Sequence, residues 1–222
     1  MAKVRHVVGL VVLGAVVIAA GTVAARSAGG LQEMPTPVAS SAAPTPTATR
    51  PVTFGVVGDS ITAWAGQEAG SWTSYVDTAA LFTEQGWAQN GAPIALMEAN
   101  TPRMSADVLV ILAGTNDLGG TLTADTKLDL IDSIVEKSEV DHILISSVPP
   151  LDMNPAWSTA WNRELEQHAA AEGYDFVDSW VNARAADGAF IPGHTVDGIH
   201  PTPGAAAQAA AVIGRAIVSA DE

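Results

Sequence analysis

No cysteine occurs anywhere in the 222 residues. Disulfides, thiolate metal sites, a cysteine nucleophile and a lipid anchor attached through cysteine are thereby excluded. Export is not, since many secreted domains fold without disulfides. Basic residues are scarce as well: 10 Lys and Arg stand against 24 Asp and Glu, giving a formal net charge of -14. Binding to nucleic-acid phosphates or to an anionic membrane surface needs clustered cations, so both are disfavoured, and an acidic surface mainly serves solubility. Aromatic residues make up only 5 % of the chain, but six of them are tryptophans. Most of these are expected in the core and between packed helices, with a groove lining as the alternative. Internal repeats are also lacking.

What is present begins with one long uncharged apolar run, the 19 residues from Val7 to Ala25, behind a short segment carrying Lys3 and Arg5. A positive head followed by a run of this length reads as an export signal, with Val23 and Ala25 fitting a cleavage site before Arg26; the run is also long enough to remain as an uncleaved membrane anchor. Residues 1–26 are therefore assigned to a signal peptide or N-terminal anchor. The next segment, 27–51, is rich in Pro, Thr, Ala and Ser and holds almost no large apolar side chain. It cannot bury enough surface to offset its ordering entropy, and is expected to be a disordered linker. The folded domain is placed at 52–222, outside the cytoplasm and either secreted or tethered, and a monomer is expected.

Within that domain, apolar runs alternate with helical periodicity. Phe54, Val56 and Val57 suit a buried strand that ends at Gly58. A helix is predicted from Trp72 to Gln85, capped by Ser71 and closed by Gly86, followed by a short strand and loop to Met97. The run 107–113 reads as a strand covered on both faces. Ala124, Leu128, Ile131 and Val135 mark the apolar face of a helix over 122–140, and a second buried strand follows at 142–147. Asn154-Pro155 and Thr202-Pro203 each pair a cap with proline at the first helical position, predicting helices to about Glu172 and Ser219, with a short strand over 174–177 between them. Strands alternating with helices imply right-handed crossovers and a parallel sheet, hence an α/β domain of three layers.

Three strand-end loops carry residues suited to chemistry. Ser60 follows the first strand, at the sheet edge where ligands of open α/β folds bind, which makes it a candidate nucleophile; an ordinary Gly-Asp-Ser turn is the alternative. Asn116 ends the strongest strand and can donate a side-chain amide to a developing oxyanion, or simply form an Asx turn. Near the end of the chain, Asp197 precedes His200 by three residues across Gly198, close enough to hold Nδ1 of an imidazole that acts as general base. Gly91 is a weaker candidate, whose amide supplies a second donor or belongs to a plain turn. His6, His142 and His168 read as structural or surface residues, and His194 as a loop residue near His200. Asp59 and Asp117 are expected to support the turns, and a metal site of a carboxylate with His200 is a minor alternative.

Taken in order, Gly58-Asp59-Ser60, Gly91, Gly114-Thr115-Asn116-Asp117 and Asp197-Gly198-Ile199-His200-Pro201 resemble the motif blocks of the SGNH (GDSL-type) hydrolases, over roughly Thr53 to Ser219. The resemblance implies a three-layer α/β/α sandwich of flavodoxin-like fold with a central parallel sheet. It implies Ser60 as nucleophile, His200 as base, Asp197 as its partner, and an oxyanion hole of the Ser60 and Gly91 amides with the Asn116 side chain. It also implies an esterase needing no metal or organic cofactor. A small domain without evident lid insertions points to short acyl chains, such as acetyl esters of polysaccharide. A lipase or thioesterase of the same fold, and a non-catalytic glycan-binding module, are the alternatives. The Ala-Pro-Ile-Ala that follows Gly91 departs from the small hydroxyl residues common in relatives. An α/β-hydrolase is excluded, because no G-x-S-x-G elbow occurs.

Overall fold

The computed structural model describes residues 51–63, 70–76 and 80–220, with the side chains of 80–84 left out. The N-terminal segments assigned above to signal, anchor and linker lie outside these residues, except Pro51. Among the described residues no helix is long and apolar enough to cross a membrane.

Five strands, β1 (Val52–Gly58), β2 (Ala80–Ala88), β3 (Val108–Leu112), β4 (His142–Ser146) and β5 (Asp175–Val177), form one sheet in the order β2-β1-β3-β4-β5. All pairs are parallel. The helices are α1 (Ser60–Ala63), α2 (Ile94–Asn100), α3 (Ala124–Ser138), α4 (Pro155–Glu172) and α5 (Pro203–Ser219). They complete the expected α/β/α sandwich, in which α2, α3 and α4 pack in succession while α5 lies against the sheet and the Trp72–Tyr75 turn. The chain leaves β1 for β2 on one side and then crosses back to β3 on the other. That reversal makes the carboxyl ends of β1 and β3 a topological switch point, the place where open α/β sheets bind ligands.

Continuous apolar sequence explains the central strands: every residue of β3 is buried, as are four of the five in β4. The helix caps also form as their residues dictate. Asn154 Oδ1 accepts the Trp157 amide at 3.1 Å, and Thr202 Oγ1 the Ala205 amide at 3.4 Å, each with proline in the first turn.

Three expectations are corrected. The helix predicted over 72–85 is instead a single 3-10 turn, Trp72–Tyr75, followed by β2. Trp72, which suggested the start of a helical face, serves other partners: its indole stacks on Phe54, with ring centroids 5.9 Å apart, and donates Nε1 to Thr62 Oγ1 at 3.2 Å. Gly86 does not close a helix but lies inside β2 opposite Val56, at φ +111, where a Cβ would sit 1.9 Å from the Val56 carbonyl. Second, the segment read as strand and loop contains α2, which starts after Pro93. Third, the inward face of α3 is wider than expected: Ile131 is buried and Leu128 and Val135 pack against the core, but Lys127, Ile134 and Ser138 are buried as well.

Among the five described tryptophans, Trp72, Trp161 and Trp180 are buried in the core, and Trp87 and Trp157 pack partly buried against it. His142 is exposed at the start of β4, and His168 Nε2 lies 2.8 Å from Asp132 Oδ1, joining α4 to α3.

Candidate active site

The turn after β1 is shaped by close approach. A Cβ on Gly58 would lie 2.3 Å from Thr62 Oγ1, so glycine lets α1 fold back on the strand end. Asp59, wholly buried, caps this turn: its Oδ1 accepts the Ile61 amide at 2.9 Å, and its carbonyl accepts the Ala63 amide at 2.8 Å. Ser60 is thereby set at the first position of α1, 4 % exposed.

His200 reaches it from the far end of the chain, with Nε2 3.0 Å from Ser60 Oγ. The opposite ring nitrogen, Nδ1, lies 2.7 Å from Asp197 Oδ2. The other Asp197 oxygen accepts the Ile199 and His200 amides at 2.9 and 2.8 Å. Partial burial opposes charge on Asp197, but the amide and ring hydrogen bonds of His200, with the Ile199 amide, outweigh it and hold the carboxyl below its ordinary range. A carboxylate fixed in this way keeps the proton of His200 on Nδ1 and leaves Nε2 to face the serine. Thr195 closes the loop by donating Oγ1 to the His200 carbonyl at 2.8 Å and accepting the Gly198 amide at 2.8 Å. Gly198 takes φ +86 and packs on Asp152, whose amide donates to the Gly198 carbonyl at 2.9 Å.

Beside these three residues, the β2–α2 loop turns at Gly91, which is exposed and takes φ +73 in a turn closed by the Ala92 amide on the Gln89 carbonyl at 3.1 Å. The Gln89 amide in turn donates to the Gly58 carbonyl at 3.2 Å, which ties this loop to the turn that carries Ser60. Asn116, in the 3-10 turn Thr115–Asp117 after β3, is exposed and donates Nδ2 to the Ala92 carbonyl at 3.1 Å. One amide hydrogen is so committed; the second is available to a ligand. Asp117 is buried and accepts the Ile94 amide at 3.1 Å.

The chain matches the model of the GDSL-like lipase/acylhydrolase family over residues 56–207. It belongs to that family. Its fold is similar to that of a GDSL-like lipase from Bacteroides thetaiotaomicron (TM-score 0.61, 22 % identity, covering 76 % of this chain and 88 % of that one). A family 3 carbohydrate esterase from Clostridium thermocellum (TM-score 0.59, 17 % identity, 76 % and 98 %) and an acetyl esterase mutant with acetate ion (TM-score 0.57, 15 % identity, 76 % and 97 %) are also similar. No curated protein matches the chain by sequence. As a GDSL-like hydrolase, the protein gathers Ser60, Asp197 and His200 into one hydrogen-bonded chain, and links Asn116 to the loop of Gly91.

Some residues take roles that motif spacing did not disclose. Asp59 is pushed up to about 6 by complete burial, an effect that the Ile61 amide and the nearby Thr115 hydroxyl offset only in part. Asp59 Oδ2 and Thr115 Oγ1 nonetheless lack the geometry of a formed hydrogen bond, and each is buried without a partner. Asp178, also near a strand end, is bound by Arg184 at 2.6 and 3.0 Å and by Ser147 Oγ at 2.9 Å, which is a structural clamp. His194 holds its loop through its backbone, accepting the Thr202 amide at 2.9 Å. Among the described residues no group of three or more His, Cys, Asp or Glu side chains is arranged to hold a metal ion.

Proposed function

We propose that this GDSL-like hydrolase is a serine esterase that cleaves short acyl esters, acetyl groups on polysaccharide in particular. The observation that carries the reading is the unbroken chain Asp197 Oδ2, His200 Nδ1, His200 Nε2, Ser60 Oγ, with contacts of 2.7 and 3.0 Å. Ser60 Oγ attacks the acyl carbon while its proton passes to His200 Nε2, and Asp197 stabilises the imidazolium. Negative charge then gathers on the former carbonyl oxygen, where the free hydrogen of Asn116 Nδ2 and the amides of Ser60 and Gly91 receive it. Collapse breaks the ester C–O bond, and His200 hands its proton to the leaving alcohol. Water, deprotonated by His200, attacks the acyl-serine; the carboxylate departs and the serine proton returns. None of these steps requires a metal or organic cofactor.

Supporting a short acyl group are the small domain and the presence of an acetyl esterase and a carbohydrate esterase among proteins of similar fold. The N-terminal segment is read as delivering this domain outside the membrane, toward envelope or environmental glycans. Turnover of acetylated xylan, acetylated peptidoglycan and an aryl-ester series of increasing chain length tests the substrate class. Acetyl esters are expected to be preferred; a clear preference for long acyl chains contradicts the proposal, and glycan binding without turnover points to a non-catalytic module.

A further inference from the structure

Lys127 lies on the inward face of α3 and is 7 % exposed. An ammonium is costly to bury, and a leucine would fill the position without that cost, so its partners are informative. Nζ donates to the Asp117 carbonyl at 3.1 Å. It also lies 5.8 and 5.7 Å from the ring centroids of Trp157 and Trp161, which stack on each other at 6.3 Å. Both rings offer the negative face that attracts a cation.

The segment these groups hold is the one that carries Asn116. Trp161 Nε1 donates to the Ala113 carbonyl at 3.0 Å, gripping the loop where it leaves β3. Lys127 grips its other end at Asp117. Between the two grips, the Asp117 carboxylate accepts the Ile94 amide and Asn116 donates to the Ala92 carbonyl, so the loops after β2 and β3 are joined twice. Burial raises the Asp117 carboxyl, while the Ile94 amide and the charge of Lys127 favour its ionised, acceptor form.

We propose that Lys127 is a positioning residue for the hydrolase: by holding the Asp117 carbonyl with an ammonium seated against the two indoles, it orients the exposed Asn116 amide toward the oxyanion. The inference rests on the esterase reading above. An exposed asparagine gains catalytic value only when its donor is held in place before charge develops.

The test compares Lys127→Met, which keeps the apolar stem and removes the ammonium, with Lys137→Met at the surface of the same helix. Lys127→Met is expected to lower kcat on an aryl acetate at least about ten-fold with KM changed less than about two-fold, and Lys137→Met to leave both unchanged. In an Asn116→Ala background, Lys127→Met should cost little more, because both act on one interaction. Hydrogen exchange of the Ile94 amide should quicken in Lys127→Met. If that variant does not fold, Lys127→Gln is read in the same cycle. A kcat within two-fold of the parent, a full additional loss on top of Asn116→Ala, or unchanged Ile94 exchange overturns the inference. Those results alongside an inactive Ser60→Ala defeat this inference alone, whereas turnover that survives Ser60→Ala defeats the esterase reading.

Discussion

The loop that carries His200 and the loop that carries Asn116 meet at one sheet edge but are built in opposite ways. Thr195 to Pro201 is almost self-contained: Thr195 Oγ1, both Asp197 oxygens and the Val196 amide bind groups within the segment. Apart from the Asp117 amide on the Gly114 carbonyl at 2.8 Å, the turn from Gly114 to Asp117 depends on residues outside it, namely Ala92, Ile94, Lys127 and Trp161, the last also fitting closely against Gly114. A self-contained device tolerates change around it and fails abruptly when one of its own groups is lost. A device held from outside degrades by steps.

The largest effect should fall on the self-contained side. Asp197→Asn keeps the shape but removes the acceptor that orders the His200 proton, and kcat should fall about 10⁴-fold with little change in KM or melting temperature. A loss below ten-fold, measured by steady-state hydrolysis of an aryl acetate, would mean that the imidazole is oriented by something else. On the other side, Asn116→Ala should cost about 10²- to 10³-fold in kcat, the usual value of one oxyanion donor. An equal loss for the two variants would erase the contrast.

Stability sharpens the same comparison. Gly114 takes φ +123, and a Cβ there would lie 2.1 Å from Trp161 Nε1. Gly114→Ala should therefore cost about 3 kcal/mol or more in urea unfolding, because backbone strain and a clash with a buried indole add. Gly91→Ala faces no atom within 4 Å and carries only the strain of φ +73, about 1 kcal/mol. Similar costs at the two positions would show that Trp161 yields and does not grip the loop.

The most conditional effect, confined to one pH window, concerns Asp59. Its carboxyl is raised from 3.8 to about 6 by burial, so the folded protein binds that proton more tightly than the unfolded chain. The associated stability is complete below about pH 3.8, falls as pH rises toward 6, and is constant above. Asp59→Asn has no proton to lose and can still accept the Ile61 amide. It should be more stable than the parent at pH 7.5, by on the order of 3 kcal/mol, with the difference closing near pH 4. A difference of the same size at both pH values would show that burial of the charge is not its origin.

The contrast also explains what the sequence could disclose. Asp-Gly-Ile-His-Pro is legible because its partners are neighbours in the chain, and the caps at Asn154 and Thr202 and the apolar runs of β3 and β4 are legible for the same reason. Trp72 misled because a segment between a Ser71 cap and a closing Gly86 suits a helix, whereas its indole is bound by Phe54 and Thr62. Lys127 was hidden because periodicity assigns a charged residue to solvent; only the fold places two indoles over it. Asp59 stood within a recognisable motif, but its burial depends on how β1 and the Thr115 turn pack.

The central claim, that Ser60 is an activated nucleophile, is tested most directly by reacting the protein with a fluorophosphonate and mapping the modified peptide while residual aryl-acetate hydrolysis is followed. The account predicts one label, on Ser60, with turnover lost in proportion to labelling and neither labelling nor turnover in Ser60→Ala. Labelling at another residue, or hydrolysis that persists in Ser60→Ala, would contradict it.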